Sequence, residues 1–369
     1  MRSRHPDGCR LAASGKTKIS RRCRVSWWLE IAQSPCEQSR VAAEKRQQCL
    51  TKPPGSLGRL ETLAVDFAAW QRTPQPVLDD IVVRVFAADH GVALEGVSAF
   101  PQAVTASMLK NFAAGGAAIC VLARQHGANF SVVNVGVYGA TSRVGVIDRV
   151  LAEGSENLCR RPAMSEAIVV RALEVGAEQI TAASHLFIGG EMGIGNTTSA
   201  AALTCAFLEL PAMSTVGPGT GINSAQLRHK VAVVERALAT HGAHLKSPLE
   251  ILRRLGGLEI AALCGAYIAC AQRGVPALID GYISTAAALA ACRINASVRQ
   301  WLLFAHRSSE PGQQHLLREL SAKPLLDFEL RLGEGSGAAL VLPLLQSACL
   351  LHRQMATFAS AGITMDEKI

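Results

Sequence analysis

The sequence is poor in aromatic residues, which make up only 5% of its 369 positions, whereas Ala and Gly are abundant. Small side chains let helices and strands approach closely, so this composition favours helices packed on a parallel sheet over a β-sandwich. Apolar residues amount to 49% of the chain, which is sufficient for a large core.

Two further features are missing. There is no run of about 18 apolar residues without charge, so we predict no membrane span. The 11 cysteines include no CxxC pair, which argues against a zinc site or a disulfide framework and predicts free thiols in a reducing cytoplasm.

Most of the chain also lacks net charge. Residues 1–50 hold 11 Lys and Arg against 4 Asp and Glu, or +7, which leaves +1 of the total +8 for the remainder. We therefore predict no nucleic-acid partner. Residues 1–35 show no periodicity and fit a transit peptide, a disordered tail or a start codon assigned too far upstream; we favour the last two. A chain that begins near Pro35 is accordingly expected to fold normally.

Short apolar and β-branched runs predict five buried parallel strands at about 81–87, 130–137, 185–189, 275–280 and 301–305. Helices are predicted at about 101–125 (broken by Gly115-Gly116), 163–183, 196–209, 224–242, 257–273, 284–293 and 337–356. This alternation predicts an α/β fold with a doubly wound, Rossmann-like parallel sheet over residues 81–319. Residues 36–80 together with 320–369 are predicted to form a second, smaller helical domain.

Two glycine-rich turns could bind an anion. In GGEMGIGNTT, residues 189–198, a strand leads into a helix whose free N–H groups would be joined by the side chains of Asn196 and Thr197. No P-loop Lys is present, which argues against nucleoside triphosphates. The second turn, VGPGTGI at 216–222, is followed by Lys230, a candidate phosphate contact. Taken alone, a tight turn and a solvated Lys explain these features as well or better.

Three more polar segments follow or flank predicted strands. The turn GEGSG at 333–337 places a carboxylate between glycines, although an ordinary helix-start acid is the simpler interpretation of that segment alone. Asp280 ends a strand, and SAFPQAVT at 98–105 has a lining that suits a flat heteroaromatic ligand. Polar turns after parallel strands meet at the ligand-binding edge of the sheet, so their coincidence indicates one site.

Five segments, in this order, resemble nicotinate-nucleotide–dimethylbenzimidazole phosphoribosyltransferases: KPPGSLGRLE (52–61), ADHGV (88–92), GEMGIGNTT (190–198), DGYISTAA (280–287) and LRLGEGSG (330–337). The resemblance extends from about residue 36 to about 356. It implies a cytoplasmic homodimer without metal or other cofactor. It also implies transfer of phosphoribose from nicotinate mononucleotide to 5,6-dimethylbenzimidazole, which gives α-ribazole 5′-phosphate and nicotinate in the assembly of the cobalamin lower ligand.

The resemblance also implies roles for individual residues. Glu334 is the general base that takes the benzimidazole N–H proton, with Gly335 beside it. Phe100 and Gln102 are expected near the acceptor base. The phosphate and ribose are expected near a larger set: Glu191, Gly193, Asn196, Thr197, Gly219, Lys230, Asp280 and Ser308.

The sequence departs from the family pattern at three positions. Pro218 stands where Arg is usual, Asn134 where Asp is usual, and Gln314 where His is frequent. Pro218 matters most, because it removes a cation and an N–H beside the expected phosphate. Two alternatives stay open: a related transferase that accepts adenine or a phenol, and a non-catalytic protein that binds a nucleotide or an azole. Retention of Glu334 argues against the latter, and Pro218 argues for it.

Overall fold

The computed structural model describes residues 26–140, 144–219 and 221–363, which form one six-stranded sheet with its flanking helices. Its strands are β1 (Ile81–Ala88), β2 (Asn129–Gly136), β3 (Val146–Asp148), β4 (Leu186–Met192), β5 (Ala277–Ile279) and β6 (Leu302–Phe304). All neighbours are parallel, in the order β3-β2-β1-β4-β5-β6. This is the doubly wound Rossmann order, with its switch point between β1 and β4. The predicted α/β fold is confirmed.

The α-helices that these residues form connect the strands or flank the sheet. They are α1 (Glu37–Cys49), α2 (Arg59–Trp70), α3 (Ala103–Ala113), α4 (Ala118–Gln125), α5 (Glu166–Glu178), α6 (Asn196–Leu208), α7 (Ala212–Thr215), α8 (Ser224–His241), α9 (Pro248–Leu255), α10 (Leu258–Arg273), α11 (Tyr282–Ile294), α12 (Pro311–Glu319), α13 (Ser336–Ala339) and α14 (Leu342–Gln354).

Some elements differ from the sequence-based prediction. Strand β3 was not predicted, because three half-buried residues are too few to show a period. Helix α9 and helix α12 were also not predicted, although each has Pro in its first turn, a common start signal. The apolar segment predicted as one helix at 337–356 is divided into α13 and α14, with Pro343 in the first turn of α14.

Close packing between helices α5 and α10 depends on glycine. A Cβ atom added at Gly176 would lie 1.8 Å from the carbonyl oxygen of Ala262, and one added at Gly265 would lie 2.1 Å from that of Leu173. Both distances are far below van der Waals contact, so any side chain at either position would force the two helices apart. The abundance of small residues thus allows the close approach of helices α5 and α10.

Adjacent glycines on β4 show that both faces of the sheet are covered. A Cβ at Gly189 would meet Leu263 of α10, whereas a Cβ at Gly190 would meet the backbone of Glu334. Neighbouring residues of a strand point to opposite faces. Helix α10 therefore covers one face at this point, and the turn that carries Glu334 lies on the other.

Helices α1, α2 and α14 pack against one another beside the sheet. Arg46 of α1 donates hydrogen bonds to the carbonyl oxygens of His352 (2.6 Å) and Arg353 (2.7 Å) at the end of α14. This group contains the helices of the predicted helical domain. Phe67 and Trp70 of α2, however, lie in the same buried cluster as the strands. The domain division at residues 80 and 320 stays a prediction.

Residues 26–35, the last part of the segment predicted to be a disordered or non-native extension, pack on the α/β core. The Gln272 amide donates to the carbonyl oxygen of Trp27 at 2.7 Å, and Asn295 donates to that of Glu30 at 2.8 Å. The Trp301 indole N–H donates to that of Gln33 at 3.0 Å. These partners are more than 230 residues away in sequence, so no local pattern reveals them. Residues 1–25 lie outside the described part of the chain.

One apolar segment, Ala103–Gln125, has the length and composition of a membrane-spanning helix. The structure divides it into α3 and α4 at Gly115, whose φ of +77° belongs to the left-handed region. The break that we predicted at Gly115-Gly116 is therefore confirmed. At 1.5 Å per residue the two helices are about 17 and 12 Å long, well short of the ~30 Å hydrocarbon core of a bilayer.

Candidate active site

A cleft of about 550 Å³ lies where several chain segments converge at the carboxyl ends of the strands. Its walls come mainly from the end of β4 and the residues after it (191–197), from residues that follow β5 (281–283) and β6 (306–310), and from the loop 329–333. The first of these strands borders the switch point of the sheet. Ligands of open α/β sheets bind in this crevice, because the loops diverge there.

Glu334 lies in a turn of three successive left-handed residues. The φ angles are +86° at Gly333, +64° at Glu334 and +81° at Gly335. Glycine adopts this conformation freely, whereas a residue with a Cβ is strained by on the order of 1–3 kcal/mol. The turn also presses on β4, since a Cβ at Gly190 would lie 2.2 Å from the Glu334 carbonyl oxygen. Strain held in place by such packing is typical of functional residues.

The carboxyl group of Glu334 is suited to accept a proton. Glu334 is 6% exposed. Burial, and next the negative charge of Asp280, raise the pKa of Glu334 to about 7. A general base works best when its pKa lies near the working pH. This environment therefore favours proton transfer at neutral pH.

Asp280, which follows β5, faces the Glu334 turn. It is 1% exposed, its Oδ2 accepts a hydrogen bond from the N–H of Gly335 (3.1 Å), and its Oδ1 accepts one from the N–H of Ala338 (2.7 Å). His306 Nε2 lies 3.5 Å from the same Oδ1. Burial alone lowers the pKa of His306, but the hydrogen bond and charge of Asp280 outweigh burial, so the pKa of His306 is raised. A buried carboxyl group, and an imidazole whose protonation it favours, thus lie beside the turn.

Glu191, on β4, lines the cleft and accepts a hydrogen bond from the Asn196 side-chain amide at the start of α6. Burial raises the pKa of Glu191 well above its usual value, and the hydrogen bond from Asn196 opposes that rise. Three nearby carboxylates raise it further: Glu259, Asp280 and Glu334. The protonated form is therefore favoured, and it can donate a hydrogen bond to a ligand oxygen.

Lys230 lies buried beneath the glycine turn at 216–222. Its Nζ donates hydrogen bonds to Thr197 Oγ1 (2.9 Å) and to the carbonyl oxygen of Gly217 (3.1 Å). Burial lowers the pKa of Lys230 to about 8, although the charge of Glu310 opposes this. The N–H of Gly219 donates to Glu310 Oε1 at 2.8 Å, so it is occupied in this structure. Lys230 and Thr197 are the polar groups at this end of the cleft that suit an anion.

Pro218 supplies neither an N–H nor a cation to that turn. Arg331, from the loop that precedes Glu334, reaches it instead. Its guanidinium NH1 lies 3.4 Å from the carbonyl oxygen of Gly219, and the side chain lines the cleft. A positive group therefore lies beside the turn even though position 218 provides none.

Comparisons with known proteins agree with this geometry. A family described as phosphoribosyltransferase matches residues 32–363. The chain therefore belongs to the nicotinate-nucleotide–dimethylbenzimidazole phosphoribosyltransferase family. The enzyme so named from Pseudomonas aeruginosa is 56% identical over 345 residues, which are 92% of this chain and 98% of that protein. The one from Azotobacter vinelandii is 58% identical over 344 residues, or 91% and 97%.

A solved structure of the same family extends the likeness to the fold. The crystal structure of the nicotinate-nucleotide–dimethylbenzimidazole phosphoribosyltransferase from Thermus thermophilus matches with a TM-score of 0.84 at 42% identity. The match covers 90% of this chain and 100% of that one. The resemblance drawn from the five sequence segments is thus confirmed.

Most site residues expected of this family meet in or behind the cleft. Those that line it are Phe100, Glu191, Gly193, Asn196, Thr197, Gly219 and Ser308. Others lie in the layer directly behind, joined to the wall by the contacts described above: Lys230, Asp280, Glu334 and Gly335. The structure thus brings together eleven of the twelve residues, while their individual roles stay predictions.

Gln102 is the residue that the structure does not bring into the cleft. It precedes α3 and lies in a neighbouring cavity with Leu94 and Tyr138. Phe100, two residues earlier, is 52% exposed and does line the main cleft. Loop 98–102 therefore borders both spaces, and an acceptor base in contact with both side chains would have to span them.

The other two departures from the family pattern lie away from the cleft. Asn134 on β2 donates to Asp148 Oδ1 on β3 at 3.1 Å and accepts from the N–H of Val137 at 3.0 Å. An Asp at that position would place two carboxylates together, so Asn suits this pairing. Gln314 is exposed on α12. Neither residue lines the cleft within the described part of the chain.

Sequence reasoning did not single out four titratable residues of the cleft: His306, Glu310, Glu329 and Arg331. His306 follows β6 as Asp280 follows β5, so its place after a strand was a usable signal. Arg331 lay inside a quoted segment without being assigned. No pattern could show that Glu310 contacts Gly219, which is 91 residues earlier. In the described residues, no cluster of three or more His, Cys, Asp or Glu is arranged for a metal ion.

Proposed function

We propose that this protein transfers the phosphoribosyl group of nicotinate mononucleotide to 5,6-dimethylbenzimidazole, and releases nicotinate and α-ribazole 5′-phosphate. The observation that carries the proposal is Glu334. In a member of this family, a strained and buried carboxyl group with a pKa of about 7 lies directly behind the cleft at the carboxyl edge of the sheet. A structural acid at a helix start needs neither the strain nor the burial.

The chemistry requires one base. The free ring nitrogen of the azole attacks C1′ of the ribose, and the bond from C1′ to the pyridinium nitrogen breaks with its electron pair. Nicotinate thereby leaves with a neutral ring. The other azole nitrogen becomes cationic unless its proton is removed, and the Glu334 carboxylate takes that proton. Attack from the face opposite the leaving group inverts C1′, so a β-nucleotide gives an α-product.

The donor nucleotide carries a 5′-phosphate, and the cleft offers cations for it at one end. Lys230 and Thr197 lie beneath the turn 216–222, and Arg331 lies beside it. The first turn of α6 faces the same region, and helix N-termini attract phosphate. Burial favours the protonated form of Glu191, and in that form its carboxyl group could donate a hydrogen bond to a ribose hydroxyl oxygen.

The assay combines purified protein, nicotinate mononucleotide and dimethylbenzimidazole, with chromatography for nicotinate and α-ribazole phosphate. We expect both products in equal amounts. Parallel reactions with adenine or a phenol as the acceptor test the related transferase. Tight binding of substrates without any product at high protein concentration would instead establish the non-catalytic alternative and refute the transferase.

We infer a homodimer in the cytoplasm from membership of the family. Sedimentation equilibrium should give about twice the mass of one chain, which is 39.0 kDa. A single species at the mass of one chain across micromolar concentrations would contradict the dimer. Fractionation of the cell followed by immunodetection tests the location.

A further inference from the structure

Asp280 was expected beside the ribose, yet its side chain is already engaged by protein. Both of its oxygens accept backbone hydrogen bonds, one from Gly335 and one from Ala338. These N–H groups belong to the N-cap and the third residue of α13, where backbone donors have no helical partner. The carboxylate therefore holds the segment that follows Glu334, and it is too deeply buried to present a free oxygen to the cleft.

His306 completes the arrangement from the other side. Its ring is buried, and a Cβ at Gly337 would lie 2.2 Å from His306 Cδ2 and 2.4 Å from its Nε2. The imidazole therefore packs directly on the backbone of the turn. The backbone of His306 is held by the Gln313 amide, which donates to the His306 carbonyl oxygen at 3.2 Å. Nε2 faces Asp280, whose charge it can balance.

We propose that Asp280 and His306 form a positioning pair for Glu334: Asp280 holds the strained turn through two backbone N–H groups, and His306 balances the charge that Asp280 brings. Neither residue is assigned a contact with substrate. The inference rests on the proposed function only in that Glu334 is taken as the base of that reaction.

The electrostatic consequence is directional. Asp280 is the charged group with the largest effect on Glu334, and it favours the protonated acid. Removal of that negative charge should make Glu334 a stronger acid. Removal of the His306 imidazole, whose protonation Asp280 favours, should make Glu334 a weaker one. Other titratable groups face this cluster from the surrounding elements and stay unchanged in the variants: Glu191 on β4, Cys120 on α4, Tyr267 on α10, and Asp327.

The kinetic test compares Asp280→Asn and His306→Gln with the unaltered protein across pH 5 to 9. The acidic limb of the profile is the pH range in which kcat/KM falls as the pH decreases. We expect this limb to move to lower pH in Asp280→Asn and to higher pH in His306→Gln, each by roughly half a pH unit or more. The KM for nicotinate mononucleotide should change less than about threefold, because a positioning residue acts on kcat. A tenfold rise in that KM with an unmoved acidic limb would make Asp280 a ribose ligand and overturn the proposal.

A second measurement does not depend on activity. The difference in Tm between Glu334→Gln and the unaltered protein should grow as pH rises, because only the carboxyl group becomes a buried charge. The midpoint of that growth should move to lower pH when both proteins also carry Asp280→Asn. If the Tm difference depends on pH in the same way with and without Asp280→Asn, the positioning pair is refuted, even in a fully active enzyme. Shifted curves in a protein without transferase activity would retain the pair and refute only the proposed function.

His352→Gln is the matched control. His352 is also fully buried, and its ring contacts Gln47 and the carbonyl oxygen of Pro74 in the helical group. We expect a lower Tm with an unmoved acidic limb. If Asp280→Asn does not fold, His306→Gln alone still decides, since an acidic limb that stays in place or moves to lower pH contradicts the proposal.

Discussion

At the scale of single residues, Glu334 combines a cost in stability with the proposed role of general base. Its side chain is buried, and no Lys, Arg or His among the described residues forms an ion pair with it. The pKa is raised to about 7, so the charged form is disfavoured in the folded protein. The neighbouring glycines let the backbone take the left-handed path that places Glu334 directly behind the cleft. Packing alone gives no reason for an acid at this position, whereas the proposed role of Glu334 as the base does.

The first prediction concerns Glu334→Gln. Because the amide cannot take the azole proton, we expect kcat to fall by roughly 10²–10⁴-fold. In the unaltered enzyme, kcat/KM should fall as pH drops below about 7, since the base becomes protonated. Product formation followed from pH 5 to 9 measures both effects. Near-normal turnover by a folded Glu334→Gln protein would mean that another group is the base.

The same substitution should stabilise the fold. A carboxyl group whose folded pKa exceeds its unfolded pKa holds more protons in the folded state, so the free energy of unfolding falls as pH rises from about 4.5 to about 7. Glutamine avoids that loss. We expect the Tm of Glu334→Gln to exceed that of the unaltered protein by roughly 2–4 °C at pH 8 and to match it near pH 4.5. Calorimetry at both pH values is the measurement.

Arg331 supports the third prediction. If the Arg331 guanidinium binds the phosphate with the positive charge that Pro218 does not supply, Arg331→Ala should raise the KM for nicotinate mononucleotide about tenfold. The kcat should stay within about threefold. Arg318 on α12 is the control, because it is exposed and bonds only to neighbours on its own helix. Equal KM values for the two alanine variants would remove Arg331 from the donor site.

At the scale of elements, strand β4 packs closely against the turn that carries Glu334. The fourth prediction is that Gly190→Ala lowers kcat at least tenfold and costs roughly 1–3 kcal/mol, because the new methyl group would overlap the backbone of the turn. Gly242→Ala is the control, since it has a helical φ and open space around its Cβ position. Thermal unfolding and steady-state kinetics of both variants decide. An active, stable Gly190→Ala protein would show that the turn can move away from β4 without loss.

The elements that sequence reasoning found are those with strong local signals. Strand β1 has seven of eight residues buried, so its apolar run was unmistakable. Strand β3 has none and was missed. The site followed the same rule: Asp280 was found because it ends a predicted strand, and Glu191 because it lies in a segment that resembles the family. The bond from Gly219 to Glu310 depends instead on how distant turns fold together. Local sequence predicts where a residue lies in its element, and tertiary packing decides which partner it meets.

At the scale of the whole molecule, the cleft lies at the carboxyl ends of the strands. Several separate loops supply it, and the longest gap in sequence runs from Phe100 to Glu191. Segments at the amino ends of the strands stabilise the sheet and its helices but do not line the cleft. Residues 26–33 belong to this second class, because their partners Gln272, Asn295 and Trp301 precede β5 and β6.

The final prediction separates scaffold from site at that end of the molecule. A chain that begins at Ser26 should match the full chain in Tm and in kinetics, whereas one that begins at Pro35 loses the hydrogen bonds to Gln272, Asn295 and Trp301. Each lost bond leaves a buried or half-buried donor without its partner, at about 1 kcal/mol apiece, so the shorter chain should unfold several degrees earlier. Its KM values and the acidic limb of kcat/KM should stay unchanged below that temperature, because the cleft lies at the opposite ends of the strands. Calorimetry and kinetics of the three chains provide the comparison. Equal Tm values for the chains that begin at Ser26 and at Pro35 would restore the boundary that the sequence suggested.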